Sequence, residues 1–166
     1  MRLRLLLLGG LLLGLVSLAA AVTYQYQAVI TVTALSTELT TLTDTSFSAA
    51  SAVVTNTTGV AGGGQGAQFC EVQAALTFAG NPTAGSTVQL WFLGTLDGTT
   101  FEDVADGFGR TPNLDLPVTS GQTTTVVHRQ VACPLTDFKA RLKNASTGQT
   151  ISSGTIKIKF FKMQGA

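Results

Sequence analysis

Apolar and polar residues alternate with a period of two through most of this chain, and each run stops at turn-forming residues. The longest such stretch is 69–101. Cys70, Val72, Ala74, Leu76 and Phe78 take every second position, with Glu71, Gln73, Ala75 and Thr77 between them. That spacing predicts a strand with one dry face and one wet face. Asn81-Pro82-Thr83-Ala84-Gly85-Ser86 breaks the run. Val88, Leu90 and Phe92 resume it, with Trp91 on the opposite face, and Asp97-Gly98 signals a tight hairpin turn. The stretch reads as the central strand pair of a β-sandwich.

The same periodicity predicts a first strand over 24–35 and a later one over 123–132. Residues 36–45 form a Thr-rich connector or weak strand anchored by Leu39 and Leu42, and 46–54 read as a strand of small residues. Residues 114–118 make a short strand that Pro117 marks as an edge or an end. Over 135–143, Phe138, Ala140 and Leu142 face one way and Lys139, Arg141 and Lys143 the other. Over 155–163, Ile156, Ile158 and Phe160 point inward and Lys157, Lys159 and Phe161 outward. Short strands at close spacing, with no helical pattern after residue 22, predict an all-β fold. The expectation is a single antiparallel β-sandwich over 22–166, immunoglobulin-like or jelly-roll.

Residues 1–21 follow another pattern: a basic start at Arg2 and Arg4, an apolar centre, and the small residues Ala19-Ala20-Ala21. This predicts a secretory signal peptide, with cleavage leaving a chain that starts near Val22. An uncleaved anchor is the alternative, since 5–22 gives 18 residues, the lower edge of a membrane span. A start placed too far upstream is a third reading. Any membrane contact is expected only through residues 1–21.

Composition supports the β reading: 11% charged residues and 18 glycines in a chain of 166, enough for one domain with a full core. A formal net charge of +1 gives no case for nucleic acid. Cys70 and Cys133 are either a disulfide tying two strands or two buried thiols that never meet. With one histidine and no C-x-x-C, a zinc site is poorly supplied, and no cofactor or metal is expected. The Gly-rich stretch 56–68 lacks the Lys-Ser/Thr ending of a phosphate loop and reads as a surface loop or one that orders on assembly. Asp97, Glu102, Asp103, Asp106 and Asp115 do not follow the calcium-loop spacing and read as solvated turns. His128 stands alone in its strand with no G-x-S-x-G elbow, so no catalytic residue is assigned. Asn56-Thr57-Thr58 and Asn144-Ala145-Ser146 fit the glycosylation sequon.

Two features point to interaction. If strands 135–143 and 155–163 pair, then Lys139, Arg141, Lys143, Lys157 and Lys159, with Lys162, share one wall. That wall is either a docking surface for an acidic neighbour, such as region 97–115 of another copy, or a solvated face that discourages edge pairing. Phe161 is the only aromatic beside it, too few for a nucleic-acid platform. Trp91 is either an exposed interface anchor or is covered by a loop of its own chain.

The segments SAASAVVTNTTG (48–59) and NPTAGSTVQLWFLGTLDGTTFEDVADG (81–107) resemble a family of small tailed-bacteriophage virion proteins. In that family an S-x-V-x-N-T-T segment precedes a strand, followed by P-T-A-G-T and a hydrophobic strand ending in an L-D-G-T-x-[YF]-x-D hairpin. The resemblance implies a non-enzymatic virion protein, a capsid decoration or minor structural protein. Its partners would be other copies of itself or a virion lattice protein. The apolar leader departs from that pattern, a departure that a virus with membrane involvement or a misplaced start reconciles. The rival expectation is an exported cell-surface sandwich that builds a filament or binds a glycan or other ligand.

Overall fold

A computed structural model describes residues 24–56, 63–64, 66–103 and 111–165, with side chains from 30 to 162. The chain divides into two compact units. The smaller comprises Met1–Tyr26 and Met163–Ala166, and of it only strand backbone at 24–26 and 163–165 is described. The leader expectation for residues 1–21 lies outside the described residues. The larger unit, Gln27–Lys162, is the sandwich.

Among the described residues there are seven strands: β1 (Tyr24–Leu35), β2 (Phe69–Phe78), β3 (Thr87–Gly94), β4 (Leu114–Pro117), β5 (Thr124–Ala132), β6 (Phe138–Ala145) and β7 (Ile151–Gly165). A single 3-10 turn, Thr37–Leu39, follows β1. Two antiparallel sheets, in the orders β1-β7-β2-β5 and β4-β3-β6, pack face to face. The four-plus-three division is that of an immunoglobulin-like sandwich. The last strand differs, because β7 enters the four-stranded sheet between β1 and β2 instead of lying beside β6.

The alternation read from the sequence fixes what lies between the sheets. Cys70, Val72, Ala74, Leu76 and Phe78 of β2 are buried, as are Ile156, Ile158 and Phe160 of β7. They meet Val88, Leu90 and Phe92 of β3 and Phe138, Ala140 and Leu142 of β6. Phe138 bridges the layers, with ring centroids 4.8 Å from Phe92 and 6.4 Å from Phe160. Full burial of each such ring contributes about 1.5–3 kcal/mol. Leu39 and Leu42 are buried and close the core beside β7. Gly154 has to be glycine: a Cβ there would stand 2.7 Å from Leu76 Cδ2 and 2.9 Å from the Ala75 carbonyl.

Three expectations are corrected. First, β2 and β3 are not a pair in one sheet; residues 79–86 carry the chain across the sandwich. An eight-residue connection containing Asn-Pro and Ala-Gly can cross the roughly 10 Å between sheets, which a two-residue hairpin cannot. Second, β6 and β7 also lie in different sheets, so the cations counted on one wall divide between opposite faces. Asn144 closes that crossing, its Nδ2 donating to the carbonyls of Gln149 at 2.7 Å and Leu42 at 3.2 Å. Third, 46–54 is not a regular strand. It follows the edge of β6, with Ser48 N–H donating to Leu142, Ser51 to Ala140 and Val54 to Phe138, all at 2.7–2.8 Å. The segment advances three residues for every two of β6, a bulge at every step. Ser48 Oγ and Ser51 Oγ accept the β6 amides of Leu142 (3.1 Å) and Ala140 (2.8 Å) that this mismatch leaves over. β6 itself begins at Phe138, and Leu135 is exposed.

Candidate functional site

The two outer sheet faces are built differently. On the three-stranded sheet, alternation along β3 turns Trp91 and Leu93 outward, yet both are buried, Trp91 to 6% exposure. Phe47, from the bulged segment, covers Trp91 edge-on at 6.0 Å. Arg141 and Lys143 lie over the Phe47 ring at 5.1 and 5.0 Å, and Arg141 Nε donates to the Ser48 carbonyl at 2.9 Å. Lys139 lies 4.6 Å above the Phe101 ring. The β6 cations therefore clamp aromatic side chains of their own chain, contacts each worth about 0.5–1 kcal/mol at exposed sites. The exposed-anchor reading of Trp91 is overturned, and cover by its own chain takes its place.

Beyond β3 the chain makes a hairpin closed by a Thr95–Phe101 bridge. The loop holds the five residues 96–100, not the two-residue turn that Asp97-Gly98 predicts, and Gly98 takes the left-handed conformation, φ 76°. Asp97 Oδ1 accepts from the backbone N–H groups of Thr100 (2.6 Å) and Thr99 (2.8 Å) and from Thr95 Oγ1 (3.0 Å). The Thr100 and Thr99 N–H groups, with the Thr100 and Thr95 hydroxyls, hold its carboxyl far below the ordinary range. The other described acids of this region each meet a separate partner. Glu102 Oε2 accepts from Gly94 N–H at 3.0 Å, Asp103 lies 3.6 Å from Arg141, and Asp115 accepts from Gln89 at 3.1 Å. Asp106 lies outside the described residues. Beside the hairpin a depression of about 550 Å³ runs from Gly94 to Glu102 and Thr136. Leu96 at the tip is fully exposed.

The outer face of the four-stranded sheet is set by register. Lys159 pairs with Glu71, Lys157 with Gln73, and Phe161 with Phe69, while β5 places Gln130 and His128 on the other side of Glu71 and Gln73. His128 Nε2 is 3.1 Å from Gln73 Nε2, and its Nδ1 is 3.7 Å from Glu71. Thr31 of β1 completes a depression of about 200 Å³ with Glu71, Gln73, His128, Lys157 and Lys159. Lys159 also lies 5.1 Å over the Phe161 ring. Phe69 and Val126 are 41% and 57% exposed on this face. Among the described residues no segment covers it.

Cys70 and Cys133 are joined, linking β2 to the residue after β5. Both sequon asparagines are fully buried. Asn56 Nδ2 donates to the carbonyls of Ala67 (3.0 Å) and Pro134 (2.6 Å), its Oδ1 accepts from Ala67 N–H, and its own N–H donates to Asp137. Neither amide is presented for a glycan in the folded chain. Phe47, Ser48 and Ser51 are the residues that sequence reasoning missed, and Asn56 and Asn144, read there as sequons, are buried staples instead. The Ser-x-x-Ser spacing was the one available signal, and a reading tuned to period two passes over it. The Gly-rich stretch 59–68 is described only at 63–64 and 66–68. Among the described residues no cluster of three or more His, Cys, Asp or Glu side chains converges as a metal site, and no helix is long and apolar enough to cross a membrane. No model of a known protein family and no curated protein matches this chain.

Proposed function

We propose that this chain is a non-enzymatic structural protein of a virion, a capsid decoration or minor structural protein that docks in many copies on a repeating lattice. The observation that carries the reading is where the two resembling segments fall. Residues 48–56 run along one edge of β6, and 81–103 supply β3 on its other edge and the hairpin beyond. Separated in sequence, they flank one strand and build one layer of the sandwich, with its cover and its tip. Such a layer supplies a rigid, prearranged surface, so little conformational entropy is lost when it docks. Repetition on a lattice multiplies weak contacts through high effective concentration. The test is quantitative mass spectrometry of density-purified particles from cells carrying the gene. The chain is expected in many copies per particle; its absence from particles that contain their shell protein overturns the proposal.

A second reading, an exported surface sandwich, is favoured by the Cys70–Cys133 disulfide, because such bonds persist in oxidising compartments. Fractionation of the producing cell separates the two. Recovery on the cell surface with no particle-bound pool supports the exported reading.

A further inference from the structure

Charge is distributed unequally between the outer face of the four-stranded sheet and the hairpin beyond β3. On the outer face of the four-stranded sheet stand Lys157 and Lys159 against a single carboxylate, Glu71, while Arg129 and Lys162 fall in the rows of the buried Val72 and Phe160. The hairpin from Gly94 to Asp103 carries Asp97, Glu102 and Asp103 and no cation at all. The covers differ in the same sense. The three-stranded sheet is roofed by Phe47 and its cations, whereas among the described residues nothing covers the opposite face, which presents lysines, amides and the exposed Phe69 and Val126. We propose that the outer face of the four-stranded sheet is a docking surface for the acidic hairpin tip of a second copy of this chain.

The tip is suited to this role. Asp97 locks the turn through the Thr99 and Thr100 amides, so little freedom is lost on docking. Leu96 projects from the tip as a fully exposed apolar anchor. The receiving depression, between Thr31, Gln73, His128, Lys157 and Lys159, offers cations and hydrogen-bond donors to an incoming carboxylate. Glu71 opposes it, but it is flanked by its register partner Lys159 and by His128 at 3.7 Å. Tip and face are different surfaces, so the contact is head-to-tail and propagates into rings or rows instead of closing a two-fold dimer. The inference rests on the lattice reading only for where these rows are laid down. Self-association is measured on the purified chain, so either proposal can fail while the other stands.

The test uses two charge reversals, K157E/K159E on the face and E102K/D103K on the tip, with folding checked by circular dichroism. Sedimentation is run at about 0.01 M and about 1 M salt, between which the Debye length falls from about 30 Å to about 3 Å. The wild-type chain is expected to associate with increasing concentration at low salt and to dissociate at high salt. Each reversal alone repels itself and weakens association about tenfold or more. An equal mixture of the two restores it, because each then meets an opposite charge. Zero-length carbodiimide cross-links joining Lys157 or Lys159 of isotopically heavy copies to Glu102 or Asp103 of light ones give a readout that does not depend on the variants. A wild-type chain that stays monomeric, a mixture that does not recover, or preferential binding of the face to anionic lipid vesicles overturns the proposal.

Discussion

Trp91 is the only tryptophan in the chain, so its fluorescence reports on one place. Under Phe47 it should emit as a shielded indole. Phe47→Ala is expected to shift the emission to the red, raise acrylamide quenching and cost about 1–3 kcal/mol, measured by urea unfolding; an unchanged spectrum would mean that Phe47 is not the cover. Asn56 holds an equally specific position, with both amide atoms engaged away from water. Asn56→Ala leaves the Ala67 and Pro134 groups unpaired, each at about 1–3 kcal/mol, so a midpoint shift close to zero would contradict the hydrogen-bond assignment. At the tip, the Asp97 carboxyl should titrate below the ordinary aspartate value of about 3.9 in carboxyl-resolved NMR. Because its folded pKa lies below the unfolded one, its contribution is complete above about pH 4 and is lost as pH falls through the folded value. A midpoint at or above 3.9 would remove the turn hydrogen bonds from the picture.

At the scale of elements, the bulged segment 46–54 makes the clearest prediction. Ser48 Oγ and Ser51 Oγ hold the Leu142 and Ala140 amides, so Ser48→Ala/Ser51→Ala should accelerate hydrogen exchange at those two amides before exchange at the rest of β6. Uniform exchange along β6 would show that the serines do not set the edge. β5 is an edge strand whose Arg129 stands in the row that Val127 and Val131 turn towards the core. A charge pointing inward at an edge guards against strand addition, so Arg129→Val is expected to increase aggregation without a loss of folding. The elements themselves were legible wherever period two held: β2, β5, β7 and the dry face of β6 lie close to their expected positions. Residues 46–54 were not, because their register of three against two leaves no periodic trace and their hydrogen bonds belong to partners 89 and 93 residues away by sequence.

For the molecule as a whole, the sequence carried the sandwich but not the assignment of strands to sheets. Crossing or staying is decided by loop length and by polar staples such as Asn144, whose roles depend on distant carbonyls. The cationic wall divided for this reason: its two halves are outward rows of different sheets. The disulfide was one of two open readings, and the strand register that brings Cys70 beside β5 is what selects it. By restricting the unfolded chain it should contribute about 2–4 kcal/mol, lost in Cys70→Ala/Cys133→Ala and read as a lower denaturation midpoint. What the two layers are for is decided on particles. Cryo-electron microscopy of particles purified from cells carrying the gene tests this most directly. Density for the sandwich should recur at symmetry-related positions on the shell, with the Gly94–Asp103 tip turned towards a neighbouring copy. Particles whose shells lack the sandwich, together with recovery of the chain on the cell surface, would contradict the virion assignment.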